Sequence, residues 1–304
     1  MIRRGALMLC VLFAVACERA KAPAPGTGTT TAASPSSTGG TAVAASAQPW
    51  DDALGAVVAT PSLDGGLPVM FARDTASTAD VDVELFSHED RTTKATLRPG
   101  SAIRPCAWRR TASVTTKDGR AAGNEWALAL SPGIATPFGI EAVAELTARD
   151  SAAIVARVSR LVSAIPEDSA SAAFRGLPIV VRDAWRFRLA DSTLVAVAIA
   201  MRSVNVESNP RAEAITVIAE PDSSTGAGQW RTSFSERVAG PEDRIEGMDL
   251  LAAFEMKGKR PAVALVRESD AGLQVEVVER TAPGTWKVRW TSSALPCAQT
   301  QAGR

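Results

Sequence analysis

Alternation of apolar and polar residues is clearest near the C-terminus, where it predicts two antiparallel strands. The segment 273–290 carries two such runs on either side of Pro283 and Gly284, which predicts a β-hairpin. If Arg280 pairs with Thr285, one face of the hairpin is apolar and the other carries opposite charges. The expected cross-strand pairs are Val277 with Val288, Val275 with Trp290, and Glu276 with Arg289.

Similar runs recur along the chain as two meanders of four strands each. The expected strands are 185–189, 193–202, 212–220 and 229–238 in the first meander, and 249–255, 261–267, 273–280 and 285–292 in the second. Each meander ends with Gly-X-Trp followed by Arg or Lys, at 228–231 and at 284–287. A weaker copy of this motif at 123–126 follows strands expected near 81–86, 92–98 and 107–116. Repeated meanders are typical of sandwich-like or blade-like sheets, whereas a complete propeller needs more than the three repeats counted here.

The segment 149–165 departs from this pattern, because its apolar residues recur at helical spacing. The predicted buried stripe of this helix consists of Ile154, Val158, Leu161, Val162 and Ile165. Asp150 is the expected N-cap, Pro166 is the expected stop, and a shorter helix is expected at 139–147.

These elements predict a mainly antiparallel β protein with one inserted helical segment, an α+β fold. The helical block and the loop after it divide the folded part into two halves. We expect a β-rich N-terminal half at 50–168 and an antiparallel β C-terminal half at 169–304.

The N-terminus has the pattern of a secretory signal peptide. Arg3 and Arg4 precede an apolar run at 6–16, and this run is too short for a bilayer-spanning helix, which needs about 20 residues. The run ends at Ala14-Val15-Ala16-Cys17, which resembles the lipobox of bacterial lipoproteins, although Ala14 stands where that pattern usually has Leu. The resemblance implies removal of residues 1–16 and acylation of Cys17, which would hold the chain at a membrane.

The residues after Cys17 predict a flexible tether. The segment 22–49 has no charged residue and consists almost entirely of Ala, Thr, Ser, Gly and Pro, so it cannot bury enough apolar area to fold. We therefore expect a lipidated N-terminus and disordered tether at 17–49. The alternative is an ordinary signal peptide, cut near Ala16 or Ala20, which would leave a soluble secreted protein.

Charge and cysteine content narrow the possible partners. The 33 Lys and Arg residues equal the 33 Asp and Glu residues, so we expect no nucleic-acid partner. Of the four cysteines, Cys10 leaves with the signal peptide and Cys17 takes lipid. In an exported protein, Cys106 and Cys297 are expected to form a disulfide, and the alternative is two free thiols or a redox couple.

The sequence holds few residues that point to catalysis. His88, the only histidine, lies in a polar segment and is expected in a surface turn, and no phosphate loop or dinucleotide fingerprint predicts a cofactor. Asp80, Asp82 and Glu84 share one face of a strand, which is expected to be solvated because calcium needs more ligands than these three; no metal site is predicted.

Two short segments are the candidates for ligand contact. Trp108 and Arg109, in the run 106–110, could contact an anion or a sugar. If Pro241 begins a helical turn, Glu242, Glu246 and Asp249 fall near one side, and paired carboxylates of this kind serve glycoside hydrolysis. The same acidic residues are also expected from the helix dipole alone.

These features favour one functional hypothesis and leave one alternative. The first is a membrane-anchored bacterial envelope lipoprotein that faces the periplasm or the cell exterior and acts as a non-catalytic binding or structural module. Its partner would be an envelope protein or a glycan. The alternative is an exported carboxylate-dependent hydrolase that acts on cell-wall or other glycans.

Overall fold

The computed structural model is described over most of the chain after residue 51. The described residues are 52–55, 58–61, 68–71, 79–103, 106–122, 126–204, 209–222, 228–242, 245, 248–269 and 272–292. In this part the fold is mainly antiparallel β with a single α-helix, which confirms the predicted fold class. No helix among these residues has both the length and the apolar character that crossing a membrane requires.

Sixteen strands and one α-helix, α1, follow each other along the described part of the chain. Their bounds are β1 Val58–Pro61, β2 Pro68–Phe71, β3 Val81–Phe86, β4 Thr93–Ile103, β5 Cys106–Thr116, β6 Leu128–Leu130, β7 Ala135–Pro137, β8 Ile140–Ala142, α1 Ala148–Ala164, β9 Val180–Arg188, β10 Leu194–Val204, β11 Arg211–Pro221, β12 Trp230–Pro241, β13 Met248–Met256, β14 Arg260–Ser269, β15 Gly272–Ala282 and β16 Thr285–Thr291.

The first six strands form a closed barrel in the order β1-β2-β5-β4-β3-β6, in which β6 pairs with both β1 and β3. Its buried residues include Val83, Leu97, Val114 and Trp126. The strands predicted near 81–86, 92–98 and 107–116 are present as β3, β4 and β5, and they belong to this barrel. Closure leaves no unpaired edge between the first and last strands of the barrel.

The remaining strands form two sheets of five, each made of one predicted meander and one short additional strand. The outer sheet has the order β12-β11-β10-β9-β8, and the central sheet has the order β16-β15-β14-β13-β7. The strands β7 and β8 precede α1 in the chain, yet they pair with β13 and β9, which follow it. The two halves predicted at 50–168 and 169–304 therefore share both sheets, and the domain boundary itself stays a prediction.

The central sheet is covered on both faces. One face packs on residues of the barrel, where the rings of Phe86 and Phe254 lie 5.9 Å apart. The other face packs on the outer sheet, with Val263 and Leu265 against Phe187 and Val197. A sheet covered on both sides needs apolar residues at successive positions, which explains the almost continuous apolar character of β13 and β14.

This burial on both faces corrects the predicted register of the last hairpin. The turn at Pro283 and Gly284 is confirmed, but Val277 lies opposite Trp290, and Val278 lies opposite Val288. The register shifts twice along the hairpin, between Val277 and Val278 and again before Ala282. The predicted pairs Val277 with Val288, Val275 with Trp290 and Glu276 with Arg289 are therefore wrong. As a result, Trp290 packs on the barrel side and Trp286 on the outer-sheet side, so each face receives one indole.

The helix α1 packs on the face of the outer sheet that points away from the central sheet. Ile154, Val158 and Val162 make this contact. The predicted stripe is confirmed, with Leu161 and Ile165 at its margin. The N-cap is Thr147 and not Asp150, because the Thr147 hydroxyl accepts a hydrogen bond from the Asp150 N–H at 3.2 Å.

The shorter helix predicted at 139–147 is wrong. These residues form β8, which pairs with β9, and then a single 3₁₀ turn at Val143–Glu145. The backbone N–H of Ile140 also donates to the His88 carbonyl at 2.7 Å. Pairing with distant segments therefore overrides the local helical pattern.

Candidate functional site

A cleft of about 420 Å³ lies between the barrel and the central sheet. Its walls come from β3, from the segment between β6 and β7, and from the turn that joins β13 to β14. The polar side chains that line it are those of Glu84, Thr92, Thr136, Glu255, Lys257 and Lys259. This volume is within the range of small-molecule sites in proteins.

Two backbone contacts fix the shape of this cleft. The Glu84 carboxylate is buried and accepts a hydrogen bond from the Gly133 N–H at 3.0 Å. The Lys257 N–H donates to the Ile134 carbonyl at 3.1 Å, which ties the β13–β14 turn to the opposite wall. In this turn Gly258 and Lys259 both have positive φ, 89° and 57°, so the backbone turns tightly.

The cleft presents charges of both signs. Glu84 and Glu255 bring carboxylates, and the exposed residues Lys257 and Lys259 bring ammonium groups. Thr92 and Thr136 add hydroxyl groups that can donate or accept. The arrangement is suited to holding a polar ligand that carries both charges, or a hydroxyl-rich one.

A second, much smaller cavity lies between the outer and central sheets. Its volume is about 10 Å³, which is close to the space that one water molecule needs. Glu236 of β12, Arg267 of β14 and Glu276 of β15 are the charged residues that line it. Burial and, to a smaller extent, the negative charge of Glu236 raise the pKa of Glu276 to about 7, against the opposing effect of Arg267.

Two other buried carboxylates, those of Glu213 and Glu220, are paired with arginine. Glu213 is fully buried and accepts from Arg202 and, at 3.2 Å, from Arg237. Glu220 is 2% exposed and accepts from both Arg280 and the Trp286 indole N–H. Both carboxylates hold parts of the framework together, and neither lines the cleft.

His88 is less exposed than predicted. It is half-buried, and its Nε2 forms a hydrogen bond of 2.9 Å with the Leu250 carbonyl, so that nitrogen is the donor. The residue therefore links the barrel to the central sheet. It lies in the predicted turn, between β3 and β4, but it is half-buried and not fully exposed. Asp249 lies beside this contact, and burial raises its pKa above the ordinary value while the His88 charge lowers it.

The acidic strand face is solvated in part. Asp80 bonds Arg98 at 2.6 and 2.8 Å, and this contact lowers the pKa of Asp80. Asp82 bonds Lys117 at 2.9 Å. Glu84, by contrast, is buried at the cleft, so the expectation of a solvated face is wrong at this position. The described residues contain no group of three or more potential metal ligands.

The predicted carboxylate cluster at 240–249 is described only in part, because Glu246 lies outside the described residues. Pro241 ends β12, Glu242 is exposed in the link that follows, and Asp249 is already in β13. The Glu242 N–H donates to the Pro210 carbonyl at 2.9 Å, which holds the link against the outer sheet. The Ile245 N–H donates to the Glu242 carbonyl at 3.2 Å, so a tight turn does follow Pro241, and the grouping of Glu242 with Glu246 stays a prediction.

Several predicted residues lie outside what the structure describes. The predictions for Cys17, Cys297 and Glu246 fall on undescribed residues, and for Cys106, Trp108 and Arg109 only the backbone, in β5, is described. The signal peptide, the tether and the disulfide therefore stay predictions.

Of the residues that line the two cavities, Glu84 was predicted only on a solvated strand face and Glu276 only in a hairpin pair, and none was predicted to contact a ligand. The signal for Glu276 was present, since a single Glu stands between Val275, Val277 and Val278 in a strand of otherwise apolar residues. No comparable signal marked Lys257 and Lys259, because charged residues in a hairpin turn are common.

Comparisons with protein-family models, with curated proteins and with solved structures find no match for this chain. The interpretation of the site therefore rests on its own geometry.

Proposed function

We propose that this chain is a lipid-anchored protein of the bacterial cell envelope and that its β-rich part is a non-catalytic binding module. The observation that carries the proposal is the apolar run that ends at Ala14-Val15-Ala16-Cys17. Acyl chains on Cys17 would anchor the module, because each buried CH₂ contributes about 0.8 kcal/mol and two or more chains give stable binding. A flexible tether at 17–49 would let the module move about 30 Å from the membrane surface and so reach partners there.

The cleft supports the binding role. It has room for a small ligand or a short segment of a partner, and its walls offer both charges and hydroxyl groups. The partner we propose is an envelope protein or a glycan that carries charged groups. Its contact with the module would centre on Lys257 and Lys259, which stand exposed at the rim.

The hydrolase alternative has less support. A carboxyl group with a raised pKa, such as Glu276, is the kind that serves as a general acid in glycoside hydrolysis. However, the cavity beside Glu276 admits about one water molecule, which is far too little space for a sugar ring. Glu242 is exposed, and its predicted partner Asp249 lies in β13 and not on the same turn.

The anchor is tested by metabolic labelling with palmitate. We expect the unchanged chain to take up label and to sediment with membranes, and we expect Cys17→Ser to lose both properties. Cys10→Ser is the matched control, since Cys10 lies inside the removed segment and its replacement should leave labelling intact. An unmodified amino terminus that begins downstream of residue 17, seen by mass spectrometry of the native protein, would contradict the anchor.

The binding role is tested by affinity capture from envelope extract. Lys257→Glu combined with Lys259→Glu is expected to weaken capture of a specific partner about tenfold, because reversed charges at the rim cost on the order of 1.4 kcal/mol. Lys287→Glu, an exposed change on β16 outside the cleft, is the control and should behave as the unchanged chain. Release of sugar fragments from purified cell wall, lost on Glu242→Gln, would instead favour the hydrolase.

A further inference from the structure

The cavity between the outer and central sheets contains polar atoms that the protein itself leaves unsatisfied. Glu276 is 6% exposed, and its Oε1 has no hydrogen-bond partner among the described residues. The Nε of Arg267 is likewise buried without a hydrogen-bond partner in that part of the chain. An acceptor and a donor that line the same small cavity are the two partners that a bound water molecule needs.

The charges around the cavity favour one bound proton. Arg267 forms an ion pair with Glu236, and the two side chains are 22% and 26% exposed. With both glutamates ionised, two negative charges face one positive charge in a small space between the two sheets. A proton on Glu276 removes this imbalance, because the neutral acid can donate to the bound water.

Five strands carry the residues that surround Glu276. β12 contributes Glu236, β14 contributes Arg267, and β15 itself contributes Gln274. β13 contributes the uncharged Met248, and β16 places Thr291 opposite Glu276. Glu236 and Arg267 are therefore the charged groups that face it in the described structure, in agreement with the raised pKa of Glu276, about 7.

We propose that this cavity is a binding site for one proton and one water molecule, and that release of the proton weakens the contact between the outer and central sheets. The proton leaves Glu276 for bulk water past the partly exposed side chains of Glu236 and Arg267. The remaining carboxylate then repels Glu236, which is carried by the edge strand β12. The neighbouring contact between the sheets, from the Thr216 hydroxyl to the Met248 sulfur at 3.2 Å, lies at the same place and would loosen with it.

Amide hydrogen exchange on the full chain, followed by mass spectrometry at pH 6 and pH 8, tests this proposal. After correction for the intrinsic exchange rate, we expect the amides of β12 to be about tenfold less protected at the higher pH. Glu276→Gln should abolish this difference, because the amide carries no titrating proton. Glu242→Gln, an exposed change outside the cavity, is the control and should keep the difference.

A second variant keeps the proposal testable if Glu276→Gln does not fold. Glu236→Gln removes the like charge, so the pH at which β12 loses protection should move to a lower value. Equal protection of β12 at both pH values in the unchanged chain would overturn the proposal. An unchanged midpoint in Glu236→Gln, or a retained pH difference in a folded Glu276→Gln, would overturn it as well.

Discussion

Replacing Glu213 by Gln is expected to lower the free energy of unfolding by about 3–5 kcal/mol. The carboxylate is fully buried, and the side chains of its two partners, Arg202 and Arg237, are only 6% and 11% exposed. A neutral amide would leave these two positively charged guanidinium groups in the interior without the negative charge of Glu213. The cost of that buried charge is the reason for the large effect.

The remaining hydrogen bonds of Arg202 and Arg237 would offset a part of this loss of stability. Arg202 also bonds Glu167 at 3.1 Å, and Arg237 bonds the Ser171 hydroxyl at 2.5 Å. Both partners belong to the segment between α1 and β9, so the network holds this segment on the outer sheet. We therefore expect that in Glu213→Gln this segment becomes more accessible to proteases before the rest of the molecule unfolds.

The measurement is urea denaturation of the variant and of a matched surface control. Glu141→Gln removes the same kind of carboxylate from an ion pair with Arg186 at 2.5 Å, but Glu141 is 60% exposed. We expect this control to lose no more than about 1 kcal/mol, because water compensates exposed charges. Equal losses in the two variants would contradict the role given to burial.

Replacing Glu220 by Gln is expected to lower the free energy of unfolding by about 3 kcal/mol. The Glu220 carboxylate accepts from Arg280 at 2.7 and 2.9 Å, from the Gly284 N–H at 3.0 Å, and from the Trp286 indole. All four hydrogen bonds connect the outer sheet to the last hairpin of the central sheet. An amide offers one acceptor oxygen in place of two, and its NH₂ group faces donors.

Trp286 provides a local readout of this change. Its indole is 3% exposed in the unchanged chain, and loss of its acceptor should admit water and shift tryptophan emission to longer wavelength. Asp191→Asn is the control, because Asp191 contacts the same Arg280 at 3.2 Å but is 56% exposed. We expect Asp191→Asn to lower the free energy of unfolding by less than about 1 kcal/mol. A larger loss would show that Arg280 stabilises the fold mainly through its exposed ion pair with Asp191.

The sequence predicted those elements whose signal is local. The strands β13 to β16 were predicted to within a few residues, because alternating or continuous apolar runs end at clear turn residues. The helix was predicted for the same reason, since its stripe of Ile154, Val158 and Val162 needs only one covered face. The cap was misplaced because Thr147 and Asp150 are both suitable residues, and only the geometry distinguishes them.

Features that depend on distant partners were not predicted. The register of the last hairpin places Trp286 and Trp290 on opposite faces of the central sheet. Both indoles are buried there because a further layer packs on each face. The strands β7 and β8 are three residues long each, so no periodic pattern could reveal them. The cleft was missed for a related reason, since its walls come from segments far apart in the chain.

The positions of β7 and β8 also bear on how this chain acquires its structure during synthesis. Each is the outermost strand of its sheet, yet each is translated before any strand with which it pairs in that sheet. Neither sheet can be completed until its later strands have emerged from the ribosome, and non-local pairing of this kind makes folding slow. If the chain is exported as we propose, slow folding would leave it unfolded while it passes through a secretion channel.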